Sequence, residues 1–105
     1  VTRIQVRSGL LIDKITFVMS DGTTKHWGGD GGSRDRDFVL ADDEYLVEVQ
    51  QRVGDSLDAV TFRTNLGRTA TYGNTEGGRM MPAWKAREGK HINGLLREDR
   101  GFCPG

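Results

Sequence analysis

The sequence predicts an all-β domain built from internal repeats, and three observations carry that prediction. Apolar residues alternate with polar ones in short runs instead of recurring at helical spacing. Turn signals separate the runs at regular intervals. One glycine-to-phenylalanine segment occurs twice in the same register.

The runs follow in order. Ile4 and Val6, then Ile12, Ile15 and Phe17, read as strands on either side of a turn at Ser8-Gly9. Thr16–Met19 leads into Ser20-Asp21-Gly22, a hairpin signal because Asp-Gly adopts the positive φ angles that tight β-turns require. Phe38-Val39-Leu40 is the next run, and Ala41–Glu44 reads as a turn. Tyr45–Val49 alternates up to a turn at Val53-Gly54-Asp55, and Leu57, Val60 and Phe62 precede another at Asn65-Leu66-Gly67. Met80–Arg87 reads as strand and loop, and no helix is required anywhere. Short strands so punctuated belong to sandwiches, barrels or prisms.

Gly9-Leu10-Leu11-Ile12-Asp13-Lys14-Ile15-Thr16-Phe17 lies over Gly54-Asp55-Ser56-Leu57-Asp58-Ala59-Val60-Thr61-Phe62, an offset of 45 residues. The match continues with Gly22 on Gly67, Thr24 on Thr69, Trp27 on Tyr72 and Gly28 on Gly73. After one inserted residue, Gly31-Gly32 falls on Gly77-Gly78. A third copy opens near Gly101, with Gly105 where the aspartate would stand. Two complete repeats and one broken one predict pseudo-threefold symmetry, each repeat supplying one sheet.

The bulk numbers limit what such a domain does. A chain of 105 residues supports one domain, 1–105, burying little more than about 60% of its unfolded surface. Fifteen basic and fifteen acidic residues give zero formal net charge. Neutral balance argues against nucleic acid, whose grip needs a clustered basic excess, and against polybasic attachment to a membrane. No apolar stretch approaches the ~20 residues of a membrane helix. With no signal peptide and Val1 at its start, the chain reads as a mature, trimmed or fragment form. One cysteine, Cys103, excludes an internal disulfide and leaves bystander or intermolecular bridge as its readings. His26 and His91 stand in no motif with it, and no nucleophile elbow, Cys-x-x-Cys or His-x-x-x-His is present, so enzymatic activity is not expected.

Both repeats carry Gly-x-x-x-Asp and a Gly-Gly loop. Glycines bare the main chain to a ligand, and a carboxylate accepts from two neighbouring hydroxyl groups. Fixed N–H donors beside one anionic acceptor suit a neutral, hydroxyl-rich ligand such as a hexose, and suit a phosphate badly. The competing reading of Asp13 and Asp58 is that they cap turns. Gly28–Gly32 lacks the Lys-Ser/Thr of a P-loop. Asp30, Asp35 and Asp37 allow a calcium site, but only one such unit occurs, so no metal or cofactor is expected. Trp27 and Tyr72 are read as core residues ahead of sugar-stacking ones, Met80-Met81 as core filler, and Arg34–Asp37 and Arg97–Arg100 as solvated surface.

Ile4–Gly9, Ile12–Phe17, Trp27–Gly32, Asp43–Leu46, Val60–Asn65, Tyr72-Gly73-Asn74 and Gly77-Gly78 together resemble the jacalin-related lectins over nearly the whole chain. The resemblance implies a β-prism I of three Greek-key-like antiparallel sheets, here with terminal strands missing or shortened. It implies mannose- or galactose-type sugars, alone or in glycoconjugates, held between Gly-x-x-x-Asp and Gly-Gly loops. Carried over, Asp13 accepts from sugar hydroxyls while Leu10, Leu11, Gly31 and Gly32 supply donors or the loop wall. Asp58 does so with Asp55, Ser56, Gly77 and Gly78. The family's principal site, joining termini, is expected to be absent. A rival reading keeps the prism but makes it an assembly module, a homodimer or larger oligomer joined through exposed sheet edges or Cys103. The compartment stays open, with secretion preferred to the cytoplasm.

Overall fold

Ile4 and Val6 turn inward on β1 (Arg3–Ser8), as do Ile12, Ile15 and Phe17 on β2 (Ile12–Val18), because alternate side chains on a strand take opposite faces. The computed structural model describes residues 1–87, 92–97 and 101–104, with backbone alone for 93–97 and 101–104. It continues through β3 (Thr24–Gly28), β4 (Ser33–Arg34), β5 (Phe38–Val39), β6 (Leu46–Val53), β7 (Leu57–Thr64) and β8 (Thr69–Gly73). β9 (Arg79–Met80), β10 (Trp84–Lys85), β11 (Ile92–Arg97) and β12 (Gly101–Pro104) complete it, with no helix among the described residues. The pairings are antiparallel throughout. One sheet runs β3-β2-β1-β4 with β5 also on β1; the other runs β12-β11-β6-β7-β8 with β9 and β10 also on β6.

The sequence repeat is a backbone repeat. The ladder slips between Arg7 and Ser8 in the first copy and between Arg52 and Val53 in the second, a bulge that re-aims the following loop. Gly9 N–H donates to Leu11 O at 2.9 Å, and Gly54 N–H to Ser56 O at 3.0 Å. Leu40 N–H donates to Thr2 O at 2.9 Å, and Ala86 N–H to Val47 O at 2.8 Å. β11 and β12 form a third hairpin beside β6. Its second strand begins at Gly101, so Phe102 takes the strand position of Asp13 and Asp58, three residues before the Gly105 that the repeat spacing gives. Gly105, residues 98–100 and the side chains of Arg97 and Cys103 lie outside what the structure describes, and with them the reading of Arg97–Arg100 as surface.

Both sheets close on one core. Phe17 and Phe62, equivalent in the repeat, meet edge to face with centroids 6.1 Å apart, and Tyr72 meets Phe62 at 6.3 Å. Tyr72 is buried as expected, its hydroxyl donating to Arg36 O at 3.1 Å. Trp27 is only half-buried. Met80 departs from the expected core filler: the two-residue β9 sits at the sheet margin and leaves its side chain 59% exposed. Arg34–Asp37 is braced as well as solvated, since Asp37 pairs with Arg3 at 3.1 Å and with Arg34 at 3.3 Å, while Ser8 donates to Asp35.

A buried carboxylate straps the segment between the repeats to the second hairpin. Glu44 accepts from Ala41 N–H at 3.0 Å, Thr64 Oγ1 at 2.7 Å, Arg68 Nε at 2.8 Å and an Arg68 terminal nitrogen at 2.7 Å. Arg68 also donates to Val39 O at 2.6 Å and lies over the Phe38 ring, 4.9 Å from its centroid. The Arg68 guanidinium, with help from Ala41 and Thr64, holds the Glu44 carboxyl down at about 2 against burial, which opposes it.

A folded value below the unfolded one stabilises the fold above the unfolded value of 4.5, and that stability is lost as pH falls towards about 2. The melting temperature of the wild type should therefore fall across that window, and Glu44→Gln should flatten the fall. At neutral pH Arg68→Met should lower the denaturant midpoint, because it leaves the buried Glu44 carboxylate short of two donors.

Candidate functional site

The bulges that end β1 and β6 set the two Gly-x-x-x-Asp loops, and the Asp is the second residue of the strand that follows. Asp13 is half-buried and Asp58 only 8% exposed. Each carboxylate lies flat against its Gly-Gly loop. A Cβ on Gly31 would come within 2.9 Å of Asp13 Oδ1, and one on Gly77 within 3.1 Å of Asp58 Oδ2. At Gly32 and Gly78 a Cβ would collide with the carboxylate and with the backbone of Ser8 or of Val53 and Gly54. Both have positive φ, 65° and 58°, where glycine alone is unstrained.

Each loop is held by an arginine that the sequence reading passed over. Arg7 Nε donates to Gly31 O at 3.1 Å and a terminal nitrogen to Gly32 O at 3.0 Å. Arg52, its equivalent, reaches Gly77 O at 2.8 Å and Gly78 O at 3.3 Å. Pulling both carbonyls towards a guanidinium fixes the peptide planes of the loop. The signal was present, since Arg7 and Arg52 stand two residues before the repeat's opening glycine in both copies. The loops are braced differently beyond that. Lys14 pairs with Asp30 at 3.0 Å in the first, whereas Asn74 Oδ1 accepts from Glu76 N–H at 3.0 Å in the second. Asp30, Asp35 and Asp37 thus serve as separate braces.

The same loops carry main-chain donors without a protein partner. Among the described residues, the N–H groups of Leu10, Leu11 and Gly32, and of Asp55, Ser56 and Gly78, donate to no protein acceptor. Gly77 differs, because its N–H donates to Asn74 O at 3.2 Å; its part in the loop is as a wall beside Asp58. Nor does either carboxylate accept a side-chain or backbone bond among the described residues, although no buried side-chain oxygen there is stranded. Asp13 and Asp58 therefore do not cap turns. Asp21 does, accepting from Thr23 Oγ1 at 2.6 Å and from Thr23 N–H at 3.0 Å, which together hold its carboxyl below the usual range. What remains at each loop is a carboxylate lying against the glycines, half-buried at Asp13 and buried at Asp58, in a loop that also carries unused N–H donors.

Both loops open on the same groove. Leu11, Asp13 and Trp27 line it from the first repeat, and Asp55 and Ser56 from the second. The two loops consequently share one end of the molecule, where Ile12 also packs beneath Gly73.

This is a duplicated all-β module whose paired hairpins each present a carboxylate against a glycine loop. The family model of the jacalin-like lectin domain matches residues 1–99, and the chain belongs to that family. Among solved structures it is similar to a prostate-specific WGA16 glycoprotein lectin, with a TM-score of 0.81 and 26% identity over 100% of this chain and 81% of that one. A mannose-binding jacalin-related lectin from Ananas comosus gives 0.62 and 26% identity over 88% and 68% of the two chains. The Calystegia sepium agglutinin shares the fold at 0.77 and 22% identity over 100% and 81%. No curated protein matches by sequence.

Gly78→Ala should lower stability by about 1–3 kcal/mol in denaturant titration, since strain at positive φ and a carboxylate collision add. Arg52→Met should leave the core intact but speed amide exchange at Gly77, whose N–H donates to Asn74 O, and unaltered exchange there would refute the clamp.

Proposed function

We propose that the protein is a lectin that holds neutral hexoses, of mannose/glucose or galactose type, at two loop sites. The observation that carries this is that both repeats set a carboxylate with no protein hydrogen-bond partner among the described residues in a loop with unused backbone N–H groups. Asp13 accepts from two neighbouring sugar hydroxyls while Leu10, Leu11 and Gly32 donate to their oxygens and Gly31 walls the loop. Asp58 does the same with Asp55, Ser56 and Gly78, against Gly77. Each hydroxyl donates and accepts, so the arrangement satisfies both halves of its chemistry. Binding is reversible and involves no bond making, metal or cofactor. The β11–β12 hairpin supports reading the fold as a β-prism with a third, incomplete sheet, without a carboxylate of its own at the Phe102 position. Two sites per chain give multivalency before any association of subunits.

Family membership supports sugars as the ligand class. The Ananas comosus relative is named for mannose, and a lectin from Artocarpus hirsuta with the same fold was solved with methyl-α-D-galactose, so the fold itself accommodates either. Each hydroxyl–protein bond replaces a hydroxyl–water bond for about 0.5–1.5 kcal/mol net. A single hexose should therefore bind near the millimolar level, about −4 kcal/mol.

Calorimetric titration with mannose and galactose, beside a glycan array, tests the reading. Wild type should bind two hexoses per chain, Asp13→Asn or Asp58→Asn one, and the double variant none. Unchanged binding by the folded double variant would sink it.

A further inference from the structure

Between the two loops lies a groove of about 990 Å³, close to the top of the ~300–1,000 Å³ range of ligand sites and several times what one hexose ring fills. Asp13 stands at one side and Asp55 with Ser56 at the other, so the groove is continuous with both loops. Its walls include Trp27 and Trp84, each half-buried and packed in part on the core, with Met81 and Pro82 alongside. We propose that this groove takes a neutral, unsulfated oligosaccharide chain that runs from the Asp13 loop to the Asp58 loop.

The proposal rests on the reading that those loops hold sugars, and three features of the groove select its occupant. Its lining is predominantly apolar, and a pyranose ring offers an apolar C–H face that packs on an indole while its hydroxyls stay at the edge. Its charges are of one sign: Asp13 and Asp55 are carboxylates, and no Lys, Arg or His lines it among the described residues. A sulfated or sialylated chain would meet repulsion there, and a neutral one would not. Asp13 of the first loop and Asp55 with Ser56 of the second line it, so one chain can reach both loops, the second contact being intramolecular once the first is made. The loops are unlike at their rims, with Leu10 84% exposed at the first and Asp55 exposed at the second.

Calorimetry on the full chain tests this with mannose or galactose, whichever titrates, then linear oligosaccharides of that sugar of increasing length, and a sulfated form of the longest. Stoichiometry should pass from two hexoses per protein to one chain per protein, with affinity rising about tenfold or more when the chain first spans the groove. Trp84→Ala should erase that rise while leaving the hexose titration unchanged. Pro82→Arg, at an exposed wall position that leaves the core intact, should do the same by obstruction if Trp84→Ala does not fold. The sulfated chain should bind no better than the hexose. Two long chains per protein at hexose affinity, or equal binding of the sulfated chain, would overturn the bridge and leave the two hexose sites standing. Failure of every sugar would overturn the hexose sites and the bridge with them.

Discussion

The constraint on which the rest of this structure depends is a carboxylate lying against backbone that has no Cβ. It is used twice, by Asp13 with Gly31-Gly32 and by Asp58 with Gly77-Gly78. A side chain at Gly32 or Gly78 would meet the carboxylate on one side and the neighbouring strand's backbone on the other. The loop therefore lies directly against the carboxylate, and the proposed site depends on that approach. Arg7 and Arg52 maintain that approach by holding two carbonyls apiece. A rigid loop loses little conformational entropy on binding, which matters when each hydrogen bond contributes so little net free energy.

Rigidity of the loops depends on the scaffold below them. Phe17 and Phe62 are the same residue of the repeat, and their edge-to-face contact ties the two copies together at the core. Glu44 and Arg68 perform the corresponding task at the periphery, where the inter-repeat segment crosses the β7–β8 turn. Asn65 reinforces the strap, accepting from Tyr45 N–H at 2.8 Å and donating to Asp43 O at 3.1 Å. The first repeat has no equivalent, since its turn carries Ser20 and Thr23 where the second carries Asn65 and Arg68. Duplication thus conserved the geometry of the loops and allowed the braces around them to diverge.

Strand positions were legible in the sequence because alternation maps directly onto the two faces of a strand: Ile4, Val6, Ile15 and Phe17 are all buried as their spacing requires. The pairing of Gly-x-x-x-Asp with Gly-Gly was legible because both halves recur together, and family resemblance gave the pairing a chemical meaning. Other features were not. The arginine clamps act through backbone carbonyls, so nothing in composition marks Arg7 or Arg52 beyond their shared position. The turn inside the second loop was not legible either, since the extra residue there lets the Gly77 N–H donate to Asn74 O. Met80 looked like core filler, yet a two-residue strand at a margin gives it no interior to fill. The groove joins residues some seventy positions apart, from Leu11 to Trp84, and appears only when the two repeats are set side by side.

The two sites are not duplicates in energetic terms. Asp58 is more deeply set than Asp13, so the fold has already stripped most of its water and little more would have to leave it for a ligand in the proposed site. Leu10 and Leu11 rim the first loop with apolar surface, where Asp55 and Ser56 make the second polar. The most direct measurement of the central claim is a crystal structure of the protein soaked with methyl mannoside or methyl galactoside. The account predicts sugar hydroxyls within about 2.5–3.2 Å of Asp13 and Asp58 oxygens and of the Leu11, Gly32, Ser56 and Gly78 nitrogens, with the glycine loops unmoved. Sugar bound elsewhere, with both carboxylates left in contact with solvent, would contradict it.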